Sequence, residues 1–173
     1  LFQPEIRPAV GDELILTGKT NLPEAADQLR NGLRDLGYTV NDSLRILPDN
    51  DQLGEQTYGL VNLSVINFRS RPAHSAELST QATLGTPLRV YEQEGNWYLV
   101  QTPDGYLGWL DRGGFTSLTA GEWLTWTQAN RVVYLPDLGF VLSGPDAAAD
   151  PVSDLVAGNI LESLGSRGTF TQI

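Results

Sequence analysis

The chain has no cysteine and no methionine, a single histidine, and only 11 basic against 21 acidic side chains. Each shortage removes a class of function. Without cysteine there is no disulfide frame, no thiolate zinc site and no sulfur nucleophile. A lone His74 excludes a metal site built on two imidazoles, and any serine–histidine triad would have to use it. No G-x-S-x-G turn accompanies it, and its place after Pro72 in a polar stretch marks a backbone-bonded or solvated side chain rather than a catalytic one. The net charge of −10 opposes nucleic acid, whose phosphates need a basic surface, and opposes anionic membranes too. No apolar run approaches the ~18 residues of a membrane span. The opening LFQPEIRPAV lacks the apolar core of a signal peptide, as a mature or trimmed chain would.

What remains is a turn-rich globular composition, 40% apolar with 18 glycines and 10 prolines, which is too apolar for a disordered chain. Residues 1–50 predict a strand–helix–strand accessory unit. ELILTG (13–18) is the first strand and YTVNDSLRIL (38–47) the second. NLPEAADQLRNGLRDLG between them carries helix signals at both ends: Asn21 as cap with Glu24 at capping-box spacing, Pro23 in the first turn, and Gly37 as the stop. A parallel pairing with a right-handed crossover is the default for such a unit. LPDNDQLGEQ (47–56) reads as a polar linker, since Asp49, Asn50 and Asp51 lack the spacing and the closing Glu of a calcium loop.

From residue 57 the pattern turns strand-rich. TYGLVNLSV, INFRS, PLRVYEQ, NWYLVQ and YLGWL are short runs between turns, as in a small closed barrel or sandwich over 57–118. RPAHSAELSTQATLGT reads as a long loop within it, where binding residues collect. In NWYLVQTPDGYLGWL (96–110), Pro103-Asp104-Gly105 turns the chain. The Trp97 face is expected to pack the barrel, Trp109 to join the core and Tyr106 to stand at the rim.

A shift of about 73 residues superposes two stretches, setting Ser70 on Ser143, Pro72 on Pro145, Gly85 on Gly158, Leu88 on Leu161, Gly95 on Gly168, Trp97 on Phe170 and Val100 on Ile173. Residues 131–173 therefore predict a second barrel that lacks its last hairpin, as in a chain cut short. Between the copies, 119–130 predicts a connecting helix started by Thr119 and Glu122, with Trp123 and Trp126 clamping it to a barrel. Asp146, Asp150 and Asp154 recur every four residues, but the neighbouring prolines make them solvated loop charges. The expected fold class is mainly β with an α+β N-terminal part: small barrels in tandem, the second incomplete.

GLVNLSVINFRSRPAHSAELSTQATLGTPLRVYEQEGNWYLVQTPDGYLGWL (59–110) resembles the first bacterial SH3-like (SH3b) barrel of NlpC-type cell-wall endopeptidases, especially those of Bacteroidetes-like bacteria. PVSDLVAGNILESLG resembles the start of their second barrel, and the resemblance runs over roughly 40–173. It implies a downstream papain-like domain with a Cys nucleophile in a DCSG motif and a His partner. That domain would cleave the γ-D-glutamyl to L-diamino-acid bond of murein peptides. None of those catalytic residues is in this chain, and no cofactor or metal is implied.

What the resemblance does assign here is recognition. In related enzymes the first barrel flanks the substrate cleft and helps hold the free amine of an N-terminal L-Ala. Glu77 in SAEL and Tyr106 in PDGY match the residues that do so. An ammonium needs an anionic acceptor, and a charge-assisted hydrogen bond contributes about 1.5–3 kcal/mol when partly desolvated. The expected partners are thus a murein peptide with a free N-terminal L-Ala and the catalytic domain of a parent chain. The expected place is the bacterial cell envelope, periplasmic or exported, with cytoplasmic recycling as the alternative. The alternative function is a stand-alone SH3-like module that binds a peptide or protein there.

Overall fold

A computed structural model describes all residues, 1–173. The chain divides into two compact units, Leu1–Gly54 and Glu55–Ile173, and is mainly β.

In the first unit, β1 (Phe2–Pro8) pairs antiparallel with β2 (Glu13–Thr20). After α1 (Pro23–Asp35), β3 (Thr39–Asp42) and then β4 (Arg45–Ile46) pair parallel with β2. The parallel strand–helix–strand expected from the sequence is present. The strand β1 was not expected, and it carries Pro4 and Pro8. Proline is tolerated at a sheet edge, and β1 is the edge. Leu16, Ala26 and Leu44 form the small core, with Leu29 and Val40 packed against it.

The start of α1 differs from expectation. Pro23 takes the first helical position, so the cap falls on Leu22 and no side chain caps the helix. Asn21, one residue too early to reach the first-turn amides, accepts from the Leu1 nitrogen at 2.6 Å. The buried Thr20 hydroxyl serves Leu22 N instead, at 3.0 Å. The other end follows the sequence: Gly37 adopts φ +89°, and Gly37 N and Tyr38 N return to Arg34 O and Leu33 O. Within the linker, residues 50–53 form a helical turn, α2 (Asn50–Leu53), because the Asp49 carboxylate accepts from Gln52 N.

The second unit begins with a seven-stranded antiparallel sheet. In chain order its strands are β5 (Tyr58–Val61), β6 (Val65–Arg69), β7 (Leu78–Thr83), β8 (Pro87–Glu94), β9 (Trp97–Gln101), β10 (Leu107–Asp111) and β11 (Phe115–Leu118). They lie in the order β11-β5-β8-β9-β10-β6-β7. Gly85 N donates to Val61 O and Val61 N to Thr86 O, so the turn after β7 returns to the end of β5 and curls the sheet on itself. Val61, Phe68, Leu88, Val90, Val100 and Leu110 meet inside, fully buried. Part of the expected long loop, Leu78–Thr83, is strand β7. Its polar outward residues, Ser79 and Gln81, hid an alternation that pairs it with β6.

Chain order in the hairpin decides which aromatics are interior. A Cβ on Gly108 would lie 2.8 Å from Phe68 Cβ, so the Gly108 face is the inner one. Gly108 pairs with Val100 and Leu110 with Tyr98. The core face of β9 is therefore Tyr98–Val100, and Tyr98 packs edge-on against Phe115 at 5.0 Å. This corrects the expectation for Trp97. Trp97, Leu99 and Trp109 share the outer face, where the loop over 70–77 crosses and the His74 ring packs 4.8 Å from Trp97. Trp109 is buried as expected, but on that side.

α3 (Ala120–Gln128) follows, and its capping box is formed: Glu122 N donates to Thr119 Oγ1, and Thr119 N to the Glu122 carboxylate. Those bonds, first from the backbone of Thr119 and then from its hydroxyl, hold the Glu122 carboxyl below its usual range. Trp123 stacks on Tyr58 at 4.9 Å, with the Arg89 guanidinium 4.2 Å over the other ring. Trp123 thus clamps the helix to the barrel as expected, while the ring contact of Trp126 is with Arg131, whose guanidinium lies 5.9 Å from its centre.

The remaining strands are β12 (Arg131–Val133), β13 (Leu138–Leu142), β14 (Pro151–Val156), β15 (Ile160–Glu162), β16 (Gly165–Arg167) and β17 (Phe170–Gln172). The repeat holds to the residue. Gly59 pairs with Leu88, and 73 positions later Val132 pairs with Leu161. Phe68 pairs with Thr80 and Val141 with Ser153, and both ladders slip at the next residue. Glu94 pairs with Trp97 and Arg167 with Phe170 around Gly95 and Gly168, at φ +59° and +60°.

The two copies join through the same turn of each. Ile160 N donates to Leu84 O at 2.9 Å, Thr83 Oγ1 to Gly158 O at 3.1 Å, and the buried Asn159 amide to Ser64 O at 2.8 Å. Gly85 (φ +78°) sits so close that a Cβ would lie 2.1 Å from Ile160 O.

Candidate functional site

Glu77 and Tyr106 occupy two loops of the first copy, and the sheet register relates them. Arg69 of β6 pairs with Trp109 of β10. Ser70 extends β6 by one residue, and its N–H donates to Glu77 O at 2.9 Å. Tyr106 lies three residues before Trp109. Both residues thus leave the sheet at one end, with β6 alone between the strands that carry them, two strand spacings or about 10 Å apart. They do not touch.

Local bonds fix both loops. Around Glu77, Ala73 N donates to Arg71 O, Ala76 N to Ala73 O and the Arg69 guanidinium to Ala76 O at 3.2 Å. Ala76 is buried and Glu77 exposed, so the carboxylate stands outward from an anchored stem. At the other loop, Tyr91 OH donates to Gln101 Oε1 at 2.8 Å, and Gln101 Nε2 donates to Gly105 O at 3.0 Å. The Thr102 hydroxyl bonds the Asp104 carboxylate and Tyr106 O. The Tyr106 ring is 56% exposed on this braced turn. An exposed phenol and an exposed carboxylate on rigid stems can accept hydrogen bonds from an ammonium and offer it a ring face. No proton transfer is asked of either.

Sequence reading did not find the bracing residues Tyr91 and Gln101. They sit on neighbouring strands, and only the β8–β9 register, with Arg89 opposite Gln101, brings them together. It also missed that His74 packs on Trp97, which gives the sole histidine a structural place.

Strand order, curl and core give the first copy the fold of a small SH3-like barrel. Residues 68–114 match the family model described as the bacterial dipeptidyl-peptidase SH3 domain, a span that includes both Glu77 and Tyr106. In fold the chain is similar to an NlpC/P60 endopeptidase from Photobacterium damselae subsp. piscicida, at 17% identity and TM-score 0.51, over 67% of this chain and 28% of that one. It is also similar to an NlpC/P60 family protein from Bacillus cereus ATCC 10987, at 18% identity and TM-score 0.52, over 65% of this chain and 48% of that one. The chain thus spans less than half the length of either. No curated protein matches it, and no helix is long and apolar enough to cross a membrane.

Proposed function

We propose that this chain is a non-catalytic recognition and scaffold region of a bacterial cell-wall peptide hydrolase, and that its first barrel binds the free N-terminal amine of a murein stem peptide through Glu77 and Tyr106. The observation that carries the reading is the matched SH3 span, which presents both groups exposed at one end of one sheet. The bond-breaking nucleophile belongs to another domain of the parent polypeptide, since this chain has no cysteine. The reading puts the protein in the cell envelope, where its substrate is, or in the cytoplasm where imported peptides are recycled.

The test is an NMR titration of this chain with a stem peptide beginning in L-Ala, its amine free or acetylated. Free amine should shift signals over 70–77 and 102–106, and acetylation should abolish the shift. Glu77→Gln should weaken binding about tenfold or more, the loss of one charge-assisted hydrogen bond. Equal binding of the two peptides removes the amine reading. Shifts clustered elsewhere on the barrel by an unrelated extended peptide would favour the stand-alone module instead.

A further inference from the structure

Arg71 leaves the sheet between Glu77 and Tyr106. Strand β6 lies between β10 and β7. Tyr106 precedes β10, Glu77 precedes β7, and Arg71 follows the end of β6 by two residues, so all three stand at one end of the sheet. Ser70 N donates to Glu77 O at 2.9 Å and carries the line of β6 up to Arg71, where Ala73 N, donating to Arg71 O at 2.7 Å, turns the chain. The Arg71 backbone thus runs about 5 Å, one strand spacing, from the chain on either side. Its side chain is exposed and makes no ion pair, hydrogen bond or ring contact with the protein, and Glu77 makes no ion pair either. Arg69, by contrast, is committed to Ala76 O. The loop itself does not call for a cation. The second copy repeats its bonds, Ser143 N to Asp150 O and Asp146 N to Gly144 O, with Gly144 in the place of Arg71.

We propose that Arg71 is a carboxylate subsite beside the amine site, and that the ligand is a peptide terminus whose second residue keeps a free carboxylate. The inference rests on the amine reading and deepens it. A guanidinium so close to a bound ammonium repels it, and the loop would be better off with the glycine of the second copy. A ligand that brings a carboxylate next to its amine turns the same charge into an attraction. The guanidinium can then donate two parallel N–H bonds to that carboxylate. In an ordinary α-linked peptide the second residue has spent its α-carboxyl on the next amide. A glutamyl residue linked through its side chain keeps it. The amine and carboxylate of such a terminus lie one residue apart, roughly 4–7 Å, which matches the single strand spacing between Arg71 and each flanking group.

The experiment is an NMR titration of this chain at low salt with L-Ala-γ-D-Glu-L-Lys, its glutamyl α-carboxylate free or amidated. Amidation should weaken binding about threefold to tenfold, the range of a partly exposed charge pair. The chain's net charge of −10 on its own favours the amide, so the sign of the difference is diagnostic. Arg71→Gln should bind both peptides alike, and the free-carboxylate form more weakly than the unaltered chain does. Arg71→Lys should keep part of the preference. Equal affinity of the unaltered chain for the two peptides overturns the proposal. So does an Arg71→Gln variant that binds the free-carboxylate form as tightly or more tightly, the mark of a charge that only repels. Acetylating the amine separates the two readings. A loss on acetylation without a loss on amidation removes the carboxylate subsite and leaves the amine site, whereas no shift over 70–77 and 102–106 with any of the peptides removes both.

Discussion

Phe68 and Val141 hold the same place in two versions of one ladder, each one residue before the same slip in register. Phe68 is fully buried beneath Gly108, and Val141 lines an open groove. The ladders agree pair for pair, yet the cores do not. Backbone pairing in this fold is thus set locally, by turn glycines at positive φ and by alternation along each hairpin. A dry interior requires the later strand that lies over it. Seven strands give the first copy that interior, and six, β12 to β17, give the second copy the same register without it.

Four measurements break or sharpen this comparison. The largest effect is expected from the paired truncations. Phe68→Ala should destabilise by about 3–5 kcal/mol, and Val141→Ala by about 1 kcal/mol or less, because its methyl groups leave little dry contact behind. Denaturant unfolding of both variants decides it, and equal losses would mean the second copy is as well packed as the first. Next come the glycines of the joining turns. Gly158→Ala should show the strain of positive φ alone, about 1–2 kcal/mol, since only Thr83 Oγ1 lies near, at 3.8 Å. Gly85→Ala adds a collision with Ile160 O and should exceed it, with faster exchange at Ile160 N. Asn159→Ala comes third, at about 1–3 kcal/mol, since it strips partly buried backbone groups of both copies, Ser64 O and Val156 N, of their partner.

The smallest effect lies in the other unit and serves as its control. Burial alone would push the Asp42 carboxyl up, but the Leu44 amide and the Arg30 guanidinium at 2.6 Å outweigh it and hold it below its usual range. A depressed carboxyl contributes stability that is present above its unfolded pKa, about pH 4, and is lost as pH falls through the folded value. Asp42→Asn should flatten that acid-side loss in probes of 1–54 and leave signals of both barrels unchanged. A steep acid loss that persists in the variant would assign it to other carboxylates.

Much of this was legible in the sequence because it is local. The shift of 73 gave the second copy's pairing residue by residue, and Gly37, Thr119 and Glu122 marked helix ends that the structure forms. The misses share a cause. Whether Trp97 or Tyr98 faces inward depends on Gly108 lying over Phe68, a contact between strands far apart in sequence. β7 reads as loop because its outward side is polar, and no strand is read for β1, whose prolines suit only a sheet edge. Of the candidate site, the residue types were readable from the motifs. Their shared end of the sheet required the Arg69–Trp109 pairing.

The join between the copies has a bearing on how many such modules can be strung together. Each copy commits the same turn to the contact, so neither keeps one free to recruit a third by this geometry. The contact is also asymmetric: Ile160 donates its N–H across it, while its counterpart Pro87 has none, and the first copy donates instead through the Thr83 hydroxyl. Duplication has thus produced an asymmetric internal pair at this join. Lengthening the array would call for a new adhesive surface.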